Sequence, residues 1–313
     1  MLGRGVGAEI ACTGPGGLFS REVRELVSSA DLAVLNLECC VSSRGCPWDS
    51  PGKRFHFRAP PQAIDALADL GVACVTLANN HALDYGYPAL ADTVEHLSAA
   101  GIAVTGAGMN LDRAQAPALL EASGLRIAVL GVTDHPADFA AAPDRPGVAY
   151  ANLHSGTPGW LTDQVRALAQ HTDIVLVTPH WGPNMTTRPA PYIRSAARAL
   201  TEAGATLVAG HSAHLFHGVA GRVLYDLGDF VDDYATDPVL RNDLGLLFLV
   251  TIDEHGPQLV EAVPLTLRYS HTELAAGADR DWIRSRFTSA CAALGTAVRD
   301  HEGRLVAELG SER

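Results

Sequence analysis

Short apolar runs alternate with amphipathic stretches along the chain, and this alternation predicts strands followed by helices. Residues 32–37 and 72–78 have the length and the apolar content of buried strands. Residues 89–100 carry apolar side chains at helical spacing and stop at Gly101, a common residue just after a helix. A third short strand is predicted at 102–105.

The second part of the chain repeats this pattern and adds hairpins. Apolar segments on either side of Gly124 predict a hairpin, and a second antiparallel pair is predicted near the C-terminal end. The predicted elements are a hairpin at 118–121 and 125–132, helices at 161–170, 192–203 and 281–294, strands at 174–178, 206–209 and 219–225, and an antiparallel pair at 245–252 and 258–267. We expect the last helix to close the chain. The alternation predicts an α/β protein with mixed sheets, and without a long linker or repeat we expect one domain over 1–313.

Composition and charge exclude several classes of protein. The chain has 313 residues, of which 47% are hydrophobic and 19% are charged, which excludes a disordered protein. Its net charge of −12 and the lack of a basic patch argue against a nucleic-acid partner. No apolar run is long enough for a membrane span, and the first residues do not resemble a secretion signal. The chain as written is expected in the cytoplasm, although a leader lost upstream would leave the same beginning.

The cysteines do not indicate a metal or disulfide framework, whereas the number of histidines is unusual. The six cysteines form no C-x-x-C pair, so reduced structural thiols are the simplest interpretation. Lys53 is the only lysine among the 23 basic residues, and this scarcity of lysine is interpreted as a bias of genome composition. The 13 histidines are an unusually high number, and several of them follow predicted strands.

Polar side chains cluster directly after the predicted strands, where α/β proteins commonly bind ligands. They are Asn36 and Glu38, Asn79 to His81, His180, His211 with His214, and Asp226 with Asp229. Taken singly, each has an ordinary explanation as a helix cap, a turn residue or a hydrogen-bonded loop histidine. Their common position favours one shared site. Carboxylate, amide and imidazole groups suit one or two divalent ions such as Mn, Fe, Zn or Ni.

Several motifs resemble one known family. The run from Leu77 to Gly86, LANNHALDYG, closely resembles the signature of the CapA-like family, named for poly-γ-glutamate capsule synthesis. Further similar blocks occur in family order over about residues 1–250: MLGR, NLE, FHFR, GAG, HWG, GHSAH and LGDF. The family belongs to the calcineurin-like metallophosphatase superfamily. The resemblance therefore implies a four-layer α/β/β/α sandwich of two mixed sheets, with a metal centre at strand ends.

The resemblance also implies roles for individual residues. His81 would be the catalytic imidazole and Asp84 would orient it. The implied substrate-binding residues are Arg4, Asn36, Asn184 and Asp229, and the implied metal ligands are Glu38, Asn80, His180, His211 and His214.

The chain departs from the family pattern in two places. A strand ending in Gly-Asp usually precedes the MLGR block and supplies a metal ligand, whereas this chain starts at Met1. Either the true start lies upstream, or one ligand is missing and a single-metal site is favoured. Asp229 also stands where the family often has Asn, which is interpreted as a replacement for a lost group or a sign of another substrate.

The leading functional hypothesis is a metal-dependent hydrolase that acts through a metal-activated water on a phosphoester or an amide or γ-glutamyl bond. The expected partner is a small-molecule or peptide-like anionic substrate, and a homo-oligomer is left open. Two alternatives remain: a non-catalytic binding or assembly protein that keeps the fold, and a metal-dependent transferase.

Overall fold

A computed structural model of the chain describes residues 1–50 and 52–309. The helices within these residues are α1 Arg4–Thr13, α2 Arg21–Ser28, α3 Ala63–Asp69, α4 Gly86–Ala99, α5 Leu111–Gln115, α6 Gly159–Ala169, α7 Pro191–Glu202 and α8 Gly277–Ala292. The strands are β1 Ala33–Asn36, β2 Cys40–Val41, β3 Arg58–Ala59, β4 Val72–Thr76, β5 Ala103–Thr105, β6 Ala107–Gly108, β7 Ala118–Ala122, β8 Leu125–Thr133, β9 Gly147–Val148, β10 Ile174–His180, β11 Leu207–Ala209, β12 Val219–Ala220, β13 Val223–Leu224, β14 Leu244–Asp253, β15 Gly256–Arg268, β16 His271–Leu274, β17 Val298–His301 and β18 Arg304–Ala307.

The strands form three main sheets and two short pairs. A parallel sheet has the order β1-β4-β5, and a six-stranded mixed sheet has the order β12-β13-β11-β10-β8-β7. An antiparallel sheet has the order β14-β15-β18-β17, with β16 pairing β15. Because β1 runs parallel to β4, and β8 and β11 run parallel to β10, the loops after these strands lie at the carboxyl edges of the first two sheets.

Four layers follow from the alternation of side chains along the central strands. Cys74 of β4 packs with Ile174 of β10 between the first and second sheets. The next residue, Val75, lies on the opposite face in a core that includes Leu90 of α4. Val175 of β10 likewise faces a third core, which is completed by side chains of α6 and α7. The order is therefore helices, sheet, sheet, helices, and the predicted α/β/β/α sandwich is confirmed.

The antiparallel sheet lies beside this sandwich and carries α8. Phe287 of α8 packs with Val260 of β15 and Phe216 in a separate core. No helix within residues 1–50 and 52–309 combines the length and apolar content needed to cross a bilayer.

The sequence predicted most strands and the larger helices but missed parts at both ends. The hairpin around Gly124 is confirmed as β7 and β8. The predicted strand 219–225 was wrong, because a turn with Gly221 at φ +51° divides it into β12 and β13. Helix α8 does not close the chain. A hairpin of β17 and β18 follows it, joined by Glu302 and Gly303, both at positive φ as a two-residue turn of the I′ type requires.

Candidate metal centre

Glu38 is fixed by a chain of amide hydrogen bonds at the end of β1. Asn36 donates through Nδ2 to Glu38 Oε2 at 3.0 Å, and Asn36 Oδ1 accepts from Asn79 Nδ2 at 2.9 Å. Asn79 also accepts the His81 backbone N–H at 3.0 Å. The loops after β1 and β4 are thus held together, and Glu38 Oε1 remains buried without a hydrogen-bond partner in the described structure.

His180 and His211 form a buried pair at the ends of β10 and β11. Their Nδ1 atoms are 2.8 Å apart, and His211 Nε2 is hydrogen-bonded to Thr178 Oγ1 at 3.0 Å. Both ring nitrogens of His211 are therefore engaged, whereas His180 Nε2 is buried without a partner among the described residues. Burial lowers the pKa of His180 well below its ordinary value and that of His211 to about 3, with neighbouring histidines adding to both effects. Both rings are thus neutral near pH 7.

The loop from Gly210 to His214 needs an unusual backbone to bring its histidines together. A Cβ at Gly210 would lie 2.5 Å from the Tyr225 carbonyl oxygen, so only glycine fits there. Ser212 and His214 have φ values of +126° and +59°. Asp226 stabilises the loop because its carboxylate accepts the Ala213 N–H at 2.9 Å. Residues held in such conformations are frequent at functional sites.

His214 is oriented by a carboxylate on the following loop. Its Nδ1 lies 2.9 Å from Asp229 Oδ1, while its Nε2 lies 4.0 Å from Glu38 Oε1. Burial alone would lower the pKa of His214, but the nearby carboxylates of Asp229, Glu38 and Asp226 outweigh it and raise the pKa to about 10. The environment of this imidazole is therefore strongly negative.

These groups surround one carboxylate oxygen. Glu38 Oε1 lies 3.9 Å from His180 Nε2 and 4.0 Å from His214 Nε2. Two nitrogen or oxygen ligands of one ion lie at most about 4.2 Å apart, since each bond is about 2.1 Å long. Both distances are close to this upper limit, so binding one ion would draw the three side chains closer together. Within residues 1–50 and 52–309, no group of three or more His, Cys, Asp or Glu side chains already meets as a complete metal site.

The Asn-His motif lies in the loop after β4, which Asn79 joins to the loop of Glu38. Asn80 Oδ1 is buried and has no partner among the described groups. His81 Nδ1 lies 2.6 Å from Asp84 Oδ2, and the His81 ring packs edge-on against Phe57 with centroids 4.7 Å apart. Asp84 is fully buried and also accepts the Phe57 N–H at 2.6 Å. Asp84 thus contacts the ring of His81, and its orienting role stays a prediction.

The four predicted substrate-binding residues have different surroundings. Asn36 and Asp229 bind other protein groups, as described above, so their contact with substrate stays a prediction. Arg4 lies 3.3 Å from Asp233 and over the rings of Phe55 and Phe57, with 39% of its side chain exposed. Asn184 is exposed.

Both ring nitrogens of His211, a predicted metal ligand, already have partners within the protein. In this arrangement it supports His180 through a hydrogen bond and has no ring nitrogen left for a metal. Its role as a ligand stays a prediction, and it would require the contact between the two histidines to open.

Sequence reasoning overlooked two groups beside the centre. His135 follows β8, its Nδ1 is hydrogen-bonded to the buried Asp134, and its ring centroid is 5.0 Å from that of His180. The same strand-end criterion that identified His180 applies to it. Lys53 forms an ion pair with Asp84 Oδ1 at 2.7 Å. No motif marked this lysine, because it lies in the connection between β2 and β3.

A cavity of about 150 Å³ adjoins the centre between two sheet edges. Val34 and Leu35 of β1 line one side, and Leu246 and Phe248 of β14 line the other. Glu38, His211, His214 and Asp229 also line it. The cavity thus has apolar walls and a polar end formed by the candidate metal ligands.

Comparison with known proteins identifies relatives over most of the chain. The family model described as bacterial capsule synthesis protein PGA_cap matches residues 1–234. A probable polyglutamine synthesis accessory protein of Mycobacterium tuberculosis is 33% identical over 276 residues, covering 82% of this chain and 72% of that protein. The PGA biosynthesis protein CapA of Bacillus subtilis is 30% identical, covering 74% and 61%, and the capsule biosynthesis protein CapA of Bacillus anthracis is 27% identical, covering 86% and 66%. The chain belongs to the bacterial capsule synthesis protein PGA_cap family.

Proposed function

We propose that this chain is a metal-dependent hydrolase whose centre is built from Glu38, Asn80, His180 and His214. The main support is the set of buried atoms without hydrogen-bond partners: Glu38 Oε1, Asn80 Oδ1 and His180 Nε2. Leaving a buried polar atom unpaired costs about 1–3 kcal/mol, so these atoms of the strand-end loops, of which Glu38 Oε1 and His180 Nε2 lie 3.9 Å apart, argue for a bound ligand.

The chemistry of these groups suits a divalent cation. Neutral imidazole is the form that binds metals. The lowered pKa of His180 keeps it in that form, whereas His214, with its raised pKa, would release a proton when a metal binds. Glu38 supplies negative charge, and Asp229 orients His214 as carboxylates commonly orient metal-bound histidines. A mixed set of oxygen and nitrogen ligands suits Mn, Fe, Zn or Ni.

The neighbouring residues have separate tasks. When bound, a divalent ion would lower the pKa of a water molecule towards about 7 and polarise the scissile group. Asp84 holds His81 through Nδ1, which leaves Nε2 as the ring nitrogen that can meet a substrate. In the proposed reaction His81 gives a proton to the leaving group.

The proposed substrate is anionic, and the bond cleaved is a phosphoester or an amide of the γ-glutamyl type. The metallophosphatase resemblance favours the first, whereas the names of the relatives, which refer to polyglutamine and PGA synthesis, favour the second. Arg4 is the proposed contact for the substrate's negative charge, because 39% of its side chain is exposed although Asp233 pairs with it.

A paired measurement of metal content and turnover tests the proposal. Protein loaded with Mn or Fe is assayed on a phosphomonoester, a phosphodiester and γ-glutamyl amides, beside Glu38→Gln, His81→Asn and the control His255→Ala. His255 is a suitable control because 78% of its side chain is exposed. We expect Glu38→Gln to lose both metal and turnover and His81→Asn to lose turnover only. Absence of turnover on every substrate with metal bound would refute the enzyme.

A non-catalytic binding or assembly protein is the second candidate. It is favoured by the fact that, in the described part of the chain, no three acidic, histidine or cysteine side chains already form a complete site. On that account the purified chain binds little metal, and His81→Ala keeps the biological activity of the protein.

A further inference from the structure

The only lysine of the chain reaches the candidate centre. Lys53 is the single lysine among 23 basic residues, and only 13% of its side chain is exposed. Its Nζ lies 2.7 Å from Asp84 Oδ1 and donates a hydrogen bond of 2.8 Å to the Asn80 carbonyl oxygen. One ammonium group thus contacts both the residue that orients His81 and the backbone of a proposed metal ligand.

The contacts of Asp84 explain why this ammonium matters. Asp84 Oδ2 is already shared by His81 Nδ1 and the Phe57 N–H, both at 2.6 Å. Lys53 therefore forms its ion pair with the remaining oxygen of the carboxylate. The ammonium also lies 5.0 Å from the centre of the buried Phe139 ring, a favourable position for a cation.

We propose that Lys53 is a positioning residue that aligns Asp84 against His81 and Asn80 towards the bound cation. This inference rests on the hydrolase function proposed above. The ammonium is a compact charge that can pair with Asp84 and donate to the Asn80 carbonyl from one point, whereas the wide, planar guanidinium of arginine cannot reproduce that geometry. The role of Lys53 thus depends on its shape as well as on its charge.

The first test measures the contact itself, without turnover. Because the chain has one lysine, peptide mass spectrometry after treatment with a mild acylating reagent separates acetylation of Lys53 from that of the N-terminal amine. We expect Lys53 to react about tenfold faster in Asp84→Asn than in the original protein, because the charge-assisted contact is lost. Equal rates in the two proteins would overturn the proposal.

The second test measures the consequence for the centre. Lys53→Met is expected to weaken Mn²⁺ binding or to lower kcat by about 10–100-fold, as is usual for groups that support metal ligands. Lys53→Arg should recover only a small part of this loss. The matched control is Arg54→Met, since Arg54 is the exposed neighbour in the same segment.

Chemical rescue separates positioning from a general loss of structure. Lys53→Cys, alkylated with 2-bromoethylamine, restores an ammonium of nearly the same length. The exposed Cys12 and Cys46 are first replaced by serine. The remaining thiols are buried, and burial raises the pKa of Cys39 and Cys291 to about 11 and that of Cys74 to about 12, so they react slowly.

The outcomes distinguish the two proposals. Rescue by alkylation of at least about tenfold in kcat or in Mn²⁺ affinity supports the positioning role. A Lys53→Met variant that keeps full kcat and full Mn²⁺ affinity overturns that role while leaving the hydrolase intact. If the original protein shows no turnover, the hydrolase fails, and Mn²⁺ affinity and acetylation still decide the role of Lys53.

Discussion

Replacing Asp84 by alanine tests how strongly the buried network around His81 stabilises the protein. The Asp84 side chain is fully buried, and its carboxylate is contacted by His81 and the Phe57 N–H at 2.6 Å and by Lys53 at 2.7 Å. The substitution leaves the ammonium of Lys53 without its counter-charge. Removing one partner of a buried ion pair costs about 3–5 kcal/mol, so we expect the free energy of unfolding to fall by that amount.

A double-mutant cycle measures how much of this loss of stability comes from the ion pair between Asp84 and Lys53. In Asp84→Ala with Lys53→Met no unpaired ammonium remains, so the double variant should be more stable than the sum of the single effects predicts. The expected coupling energy is about 1–3 kcal/mol. Urea unfolding followed by fluorescence of the four tryptophans measures it, with a chelator present so that metal binding does not contribute.

A surface carboxylate provides the control for this cycle. Glu202 pairs with Arg198 at 3.8 Å, and at least 70% of each side chain is exposed. Glu202→Ala should change the stability by less than about 0.5 kcal/mol. A stabilising role of the buried pair is refuted if Asp84→Ala lowers the free energy of unfolding no more than Glu202→Ala does. It is also refuted if the effects of Asp84→Ala and Lys53→Met on that free energy simply add.

Two further predictions concern other parts of the fold. The hydrogen bonds from Arg44 and a nearby serine hydroxyl lower the pKa of Asp92 to about 2. This carboxylate therefore stabilises the protein above about pH 4 and loses that effect as the pH falls towards 2. Because 63% of the Arg44 side chain is exposed, we expect Asp92→Asn to lower the free energy of unfolding by only about 1 kcal/mol at pH 7, and by less at about pH 2.5. Urea unfolding at the two pH values measures the difference. Gly210→Ala would place a methyl group 2.5 Å from the Tyr225 carbonyl oxygen, so thermal unfolding should show a loss of about 1–3 kcal/mol and calorimetry weaker Mn²⁺ binding. Gly159→Ala, whose Cβ would meet its nearest atom at 3.9 Å, should change neither; equal melting temperatures for both glycine variants would contradict the packing argument.

The strand-end criterion predicted that polar side chains from distant strands lie close together, because parallel strands bring their carboxyl ends to one edge. Glu38, His180 and His214 follow strands that are distant in sequence, and their side chains meet within 4.0 Å. The layers were implied by the family resemblance, and successive side chains of β4 and β10 pack on opposite faces as that architecture requires.

The orientation of individual groups could not be predicted in the same way. Asn36 and His211 lie where expected, but their polar atoms bind neighbouring side chains. Such hydrogen bonds depend on rotamers and on the paths of other loops. Lys53 illustrates the limit best, because its contact with Asp84 joins residues in separate loops, and no local pattern specifies that approach.

The N-terminal helix was missed for a related reason. Helix α1 contains glycines at positions 5 and 7, which disfavour a helix, and only Val6, Gly7 and Ile10 are buried. Tertiary contacts stabilise it instead: the Gly5 N–H donates to Asp233 at 2.8 Å, and the terminal amine of Met1 donates to the Val231 carbonyl oxygen at 2.9 Å.

Anomalous X-ray diffraction from crystals grown with Mn²⁺ tests the proposed centre most directly. The account predicts a manganese peak bonded at about 2.0–2.3 Å to Glu38 Oε1 and His180 Nε2, with Asn80 and His214 as further ligands, and no such peak in Glu38→Gln crystals. Crystals of the original protein that bind manganese elsewhere, or that contain none at saturating concentration, would contradict it.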